Sequence, residues 1–77
     1  MKFQKGDLVD VIGQKETYPY LVIDVETVED KVFLDLQAYS SYTESYADGY
    51  VYRHNFANQF TLRYPKGKTH KLTSIFK

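Results

Sequence analysis

Five of the chain's eight tyrosines fall within "YSSYTESYADGYVY": Tyr39, Tyr42, Tyr46, Tyr50 and Tyr52. Phenol rings set among short polar residues offer ring contacts and hydroxyl hydrogen bonds, the chemistry of recognition surfaces rich in Tyr, Ser and Gly. A second stretch, "LRYPKGKTHKLTSIFK", interleaves Arg63, Lys66, Lys68, His70, Lys71 and Lys77 with Tyr64 and Phe76. Cations among aromatics suit a nucleic acid. Arg53, Arg63, Lys66, Lys68 and Lys71 would hold the phosphate backbone, while Tyr50, Tyr52 or Tyr64 stack on bases.

Catalysis has less to work with. The chain has no cysteine nucleophile, and its serines at 40, 41, 45 and 74 lie in no nucleophile elbow. The four glycines are scattered at 6, 13, 49 and 67, so no glycine-rich phosphate loop is present. Asp24 with Glu26, and Glu29 with Asp30, are acidic pairs of the kind expected on a wetted strand face or turn. A metal would have to use His54, His70 and carboxylates, and the two histidines lie sixteen residues apart without a close ligand-type partner. The expectation is a binding protein without catalysis, metal or cofactor.

Seventy-seven residues make one domain, 1–77, close to the lower limit for a chain folding on its own core. Without disulfides, packing must hold it, and an aromatic content of 17% lets a small chain bury enough area. No apolar run reaches the roughly 20 residues of a membrane span, and "MKFQKGDLVD" lacks the apolar core of a signal peptide. These features predict a cytoplasmic protein that does not enter membranes. The charge sums to zero but is unevenly placed. Residues 1–48 carry ten acids and four lysines, hence −6; residues 49–77 carry six bases and no acid, hence +6. Such asymmetry marks either an interaction surface or acidic and basic strands paired in one sheet.

These side chains must be positioned by strands. Residues 7–12 alternate, with Val9 and Val11 on one face and Leu8, Asp10 and Ile12 on the other. Residues 18–26 place Leu21, Ile23 and Val25 inward and Tyr20, Val22, Asp24 and Glu26 outward. After a polar turn, residues 31–38 repeat the pattern, with Val32, Leu34, Leu36 and Ala38 inward. Three period-two runs predict an antiparallel meander with one wet face. Residues 50–54 and 60–64 read as further strands, separated by "NFANQ", where Asn55 suits the cap of one 3₁₀ turn. "PKGK" (65–68) reads as a tight turn and 69–76 as a sixth strand, so that 65–77 form an added hairpin or arm.

Five short strands with one helical turn before the last resemble the order of SH3-like barrels. "FQKGDLVDVIG" is similar to the first strand of SH3-like and KOW-like barrels, in which a Gly-Asp pair precedes a strand whose alternate valines enter the core. The resemblance covers residues 3–64 and implies an all-β, small SH3-like antiparallel barrel of five to six strands with a short helical turn.

Tyr39, Tyr42, Tyr46 and Tyr50 recur at helical spacing, Ser41 and Glu44 form a capping-box pattern, and Gly49 stands where a left-handed C-cap belongs. This predicts a short helix over 42–48 whose tyrosines close one end of the barrel. The competing reading is an open loop over 39–49 that presents its rings to a partner. Tyr50 and Tyr52 share a strand face with His54 and lie either in the core or in an outward row. Two functions follow. The first is protein recognition, as an interaction, regulatory or inhibitor module working through Tyr39, Tyr42, Tyr46, Tyr50 and Tyr52. The second is nucleic-acid binding through Arg53, Arg63, Tyr64, Lys66, Lys68 and Lys71. A pI near 6.7 favours a protein partner, with the chain a monomer or homodimer.

Overall fold

The computed structural model of the protein describes residues 2–67. The chain forms β1 (Leu8–Val11), β2 (Tyr20–Val28), β3 (Lys31–Gln37), β4 (Val51–Phe56), a 3₁₀ turn (Ala57–Gln59) and β5 (Phe60–Tyr64). All neighbouring strands are antiparallel, in the order β4-β3-β2-β1-β5. The all-β, five-strand expectation holds. No ladder among the described residues joins β4 to β5, so the sheet is open. The expected sixth strand over 69–76 lies outside the described residues.

The core is built where alternating apolar residues meet across ladders. Val9, Val22, Leu34 and Leu36 are buried with Phe3 and Ala57, and Tyr20, Val25, Phe60 and Leu62 pack around them. The inward assignment of Leu34 and Leu36 is met. In β2 it inverts: Val22, expected outside, is 1% exposed, whereas Leu21 and Ile23 are half-buried. The cause is a register shift. Val22 pairs with Leu36 and Val25 with Leu34, so β2 carries one extra residue between them. A bulge changes the parity of everything beyond it.

Two more bulges bend the sheet. Between Leu34↔Asn55 and Leu36↔Tyr52, β4 gains a residue at Arg53–His54, where His54 adopts φ 61°. The Asp35 carboxylate stabilises that kink by accepting from the His54 backbone N–H at 2.7 Å and from Arg53 at 3.3 Å. Between Leu8↔Tyr64 and Val9↔Leu62, β5 gains Arg63.

The 3₁₀ turn lies where "NFANQ" placed it, but Phe56 occupies the cap position and no side chain caps it. Asn55 is instead used across the bulge, its amide donating to the carbonyls of Leu34 and Tyr52. The Gly6–Asp7 pair earns its place through hydrogen bonding. Asp7 is buried, and its carboxylate accepts the backbone N–H groups of Gln4 and Lys66 at 2.9 and 2.7 Å.

The β2–β3 hairpin closes through Glu29 and Asp30, with Val28 paired to Lys31. Both turn residues have positive φ, 49° and 69°, a two-residue geometry that favours Asn-Gly. Replacing them together (Glu29→Asn, Asp30→Gly) should raise unfolding free energy by about 1 kcal/mol. Thermal denaturation reads this as a rise of roughly 4–8 °C for a domain of this size.

Candidate recognition surface

Two connections meet at one end of the sheet: residues 12–19 between β1 and β2, and residues 38–50 between β3 and β4. The first is held by Arg63. Its guanidinium makes a two-point contact with Asp10, at 2.8 and 2.7 Å, both side chains being largely buried. The same group donates to the carbonyl oxygens of Glu16 at 2.6 Å and Thr17 at 3.4 Å. One cation on β5 thus fixes the path of a loop that begins on β1.

The second connection is not the helix expected over 42–48. It is a series of turns in which Ser40 and Ser45 exchange backbone hydrogen bonds of 2.9 and 3.1 Å, closing a small hairpin over 41–44. Ser40 Oγ accepts from the Thr43 N–H and Ser45 Oγ from the Ala47 N–H. Serine side chains that satisfy nearby backbone donors compete with helix formation, and seven residues nucleate a helix poorly. Glu44 is left-handed, at φ 54°, and caps nothing. Gly49 is required for closeness: a Cβ there would overlap the Ala38 carbonyl oxygen. Gln37 Nε2 ties the loop down by donating to the carbonyls of Ala47 and Gly49.

Tyr46 staples the two connections together, its hydroxyl donating to the Pro19 carbonyl at 2.8 Å. Burial raises its phenol pKa well above the usual value, against an opposing effect from the Arg63 charge. Tyr39 lies between Tyr18, with ring centres 4.4 Å apart, and Tyr46, at 5.0 Å. Tyr20 meets Tyr52 edge-on at 5.9 Å, and Tyr52 meets Tyr50 at 5.2 Å. Between these groups is a hollow of about 200 Å³, lined by Glu16, Thr17, Tyr18, Tyr20, Ala38 and Tyr39.

The five tyrosines singled out from the sequence therefore differ in role. Tyr46 is a structural staple and Tyr39 is half-buried in the ring cluster, whereas Tyr42 is 97% exposed and Tyr50 75% exposed. Tyr52 pairs with the core residue Leu36, so it lies at the rim of the core, partly open to solvent. The expected row Tyr50, Tyr52, His54 is interrupted by the β4 bulge, and His54 stacks instead on Phe33 at 4.0 Å. Tyr18 and Tyr20 were not among the candidates. Their signal was present in "YPY", two rings flanking a proline at a strand entrance.

The basic candidates do not converge among the described residues. Arg53, on β4, pairs with Asp35 on β3, and Arg63, on β5 at the opposite end of the strand order, is committed to Asp10 on β1. Half-buried Tyr64 pairs with Leu8, and the Lys66 chain lies against Gly6. Lys68 and Lys71 fall outside the described residues. Glu26 is 3.7 Å from His54, beside Asp24 and Asp35 in a hollow of about 320 Å³. No cluster of three or more His, Asp or Glu side chains suited to a metal occurs among the described residues. No helix there is long and apolar enough to cross a membrane. No protein-family model, curated protein or solved structure matches the chain.

Removing one partner of the buried pair strands the other. Arg63→Ala should cost about 3–5 kcal/mol in urea unfolding. Arg53→Ala, at an exposed pair, should cost less than about 1 kcal/mol. Tyr46→Phe should lose about 1 kcal/mol at neutral pH with its hydrogen bond. Because the folded-state pKa of Tyr46 is raised, the unfolded chain loses that proton first. The associated stability is complete below about pH 10 and declines as pH rises above it. Stability of Tyr46→Phe should therefore fall less steeply at alkaline pH than wild type, as read by denaturation at stepped pH.

Proposed function

We propose that the protein is a non-catalytic recognition module that binds another protein through the tyrosine surface on its 12–19 and 38–50 connections, as a regulator or inhibitor in the cytoplasm. The observation that carries this reading is the joint anchoring of those connections by Arg63 and Tyr46, which brings two ring groups, Tyr18 with Tyr39 and Tyr20 with Tyr52 and Tyr50, together around one hollow. Rings held in place before contact lose little freedom on binding, so contact area is turned into affinity efficiently. Tyr42 and Tyr50 offer the most open rings.

The proposed architecture behind this surface is an SH3-like barrel. Supporting it are the strand order β4-β3-β2-β1-β5, the 3₁₀ turn before β5 and the bulges that bend three ladders. The module acts as a monomer or homodimer and needs no cofactor. A second reading, nucleic-acid binding, rests on the acid-free segment 49–77 and on Lys66 beside the Gly67 turn. Pairing of Arg53 and Arg63 with carboxylates counts against it.

Affinity capture and oligonucleotide anisotropy separate the two. A saturably bound protein should lose at least about tenfold in affinity with Tyr42→Ser plus Tyr50→Ser, which removes two open rings. Saturable, steeply salt-dependent oligonucleotide binding, weakened by Lys66→Ala with Lys68→Ala and Lys71→Ala, would overturn the protein reading.

A further inference from the structure

Of three hollows among the described residues, the one between the two connections joins aromatic rings and a carboxylate without a basic side chain in its lining. The one near Phe3, Phe56 and Phe60 also has rings and a carboxylate, Asp30, but already contains the Lys31 cation. The one around Asp35 already holds Arg53 and His54. The hollow at Tyr18 is walled by three phenol rings and also carries a carboxylate, Glu16. Aromatic faces attract cations through their quadrupole, and a carboxylate at the edge adds charge and acceptor oxygens.

We propose that this hollow receives the basic side chain of a protein partner, an arginine guanidinium foremost, held by the Tyr18, Tyr20 and Tyr39 rings with Glu16 as its counter-charge. The inference rests on the protein-binding reading above and names the chemistry of the residue recognised. Planarity favours arginine over lysine, because a guanidinium can lie on a ring while its edge donates to a carboxylate.

The surrounding charges point the same way. Glu16 acts on Tyr20 and Glu44 on Tyr39, each close enough to disfavour the phenolate. The cation next to this region, Arg63, is neutralised by two hydrogen bonds to Asp10. Counting both connections with the Asp10–Arg63 pair, four carboxylates (Asp10, Glu16, Glu44, Asp48) face two cations (Lys15, Arg63), an excess that repels phosphate and attracts a basic side chain. Burial, followed by those carboxylates, raises the pKa of Tyr20 and Tyr39 above the ordinary phenol value.

Size and rigidity fit as well. About 200 Å³ accommodates a side-chain head group but falls below the usual range for drug-sized ligands. Arg63 grips the carbonyls of Glu16 and Thr17, and Tyr46 grips that of Pro19, so the wall bearing Tyr18 is bound on both sides in sequence.

The test uses the full chain and N-acetyl-arginine methylamide, with the uncharged citrulline analogue as control, followed by NMR. Tyr18, Tyr20 and Tyr39 ring signals should shift saturably with the arginine compound and not with citrulline. Glu16→Gln and Tyr18→Leu should each weaken binding by about threefold to tenfold with amide dispersion unchanged. Equal shifts with citrulline, no saturable shift up to the solubility limit, or unchanged affinity in both variants would overturn the proposal. The same variants in the capture experiment separate the two levels of inference. Capture that survives Glu16→Gln and Tyr18→Leu but fails in the Tyr42→Ser, Tyr50→Ser variant overturns the arginine assignment alone. Capture indifferent to every one of these changes overturns the protein-binding reading and the partner assignment with it.

Discussion

The contact between Asp10 and Arg63 organises most of what is distinctive in this molecule. It joins β1 to the edge strand β5 and is mostly hidden from solvent, where an unpaired charge would be costly. Burying two charges offers little net stabilisation. What the pair supplies is placement, since the remaining guanidinium donors find the Glu16 and Thr17 carbonyls. No buried side-chain nitrogen or oxygen among the described residues lacks a hydrogen-bond partner. The polar network is therefore complete, the condition under which such networks rigidify a fold.

Irregularity positions this network. The bulge that adds Arg63 to β5 interrupts the ladder beside Asp10, and the one at His54 turns the β4 backbone toward the Asp35 carboxylate. The β2 bulge returns Val25 to the core side after Val22. Each departure from a regular strand places a side chain that an ideal sheet would direct elsewhere. The tyrosine surface follows from those departures: Tyr20 and Tyr52 rim the core, and Tyr18, Tyr39 and Tyr46 gather over the entrance to β2.

Strand positions were legible because Leu34, Leu36 and Val9 repeat with the period of a half-buried sheet, and because Gly and polar residues separate the runs. The facing of β2 was not, since a bulge leaves no mark in the alternation of apolar residues. The Tyr39–Tyr50 spacing misled for a related reason. Intervals of three and four suit a helix, but short serine-rich turns can carry them equally well. Tyr39 and Tyr46 do gather on one side as expected, held by ring contacts and the Pro19 carbonyl instead of helical geometry. Sequence leaves Arg63 open between a phosphate-binding cation and a partner of an acidic strand, because nothing local pairs it. Its partner is 53 residues away.

That separation has a kinetic side. The β2–β3 hairpin needs only a two-residue turn, and β4 follows β3 through a connection knotted by its own serines. The Asp10–Arg63 and Asp7–Lys66 contacts span 53 and 59 residues and pay the largest loop-closure entropy. Local hairpins therefore face the lower entropic cost, and the topology predicts that the β1–β5 seam closes after them. Until it closes, the Glu16 and Thr17 carbonyls lack the Arg63 donors that fix the path of their connection. The bound path of the 12–19 connection is thus among the last features the fold acquires, and an incompletely folded chain lacks that wall of the tyrosine surface.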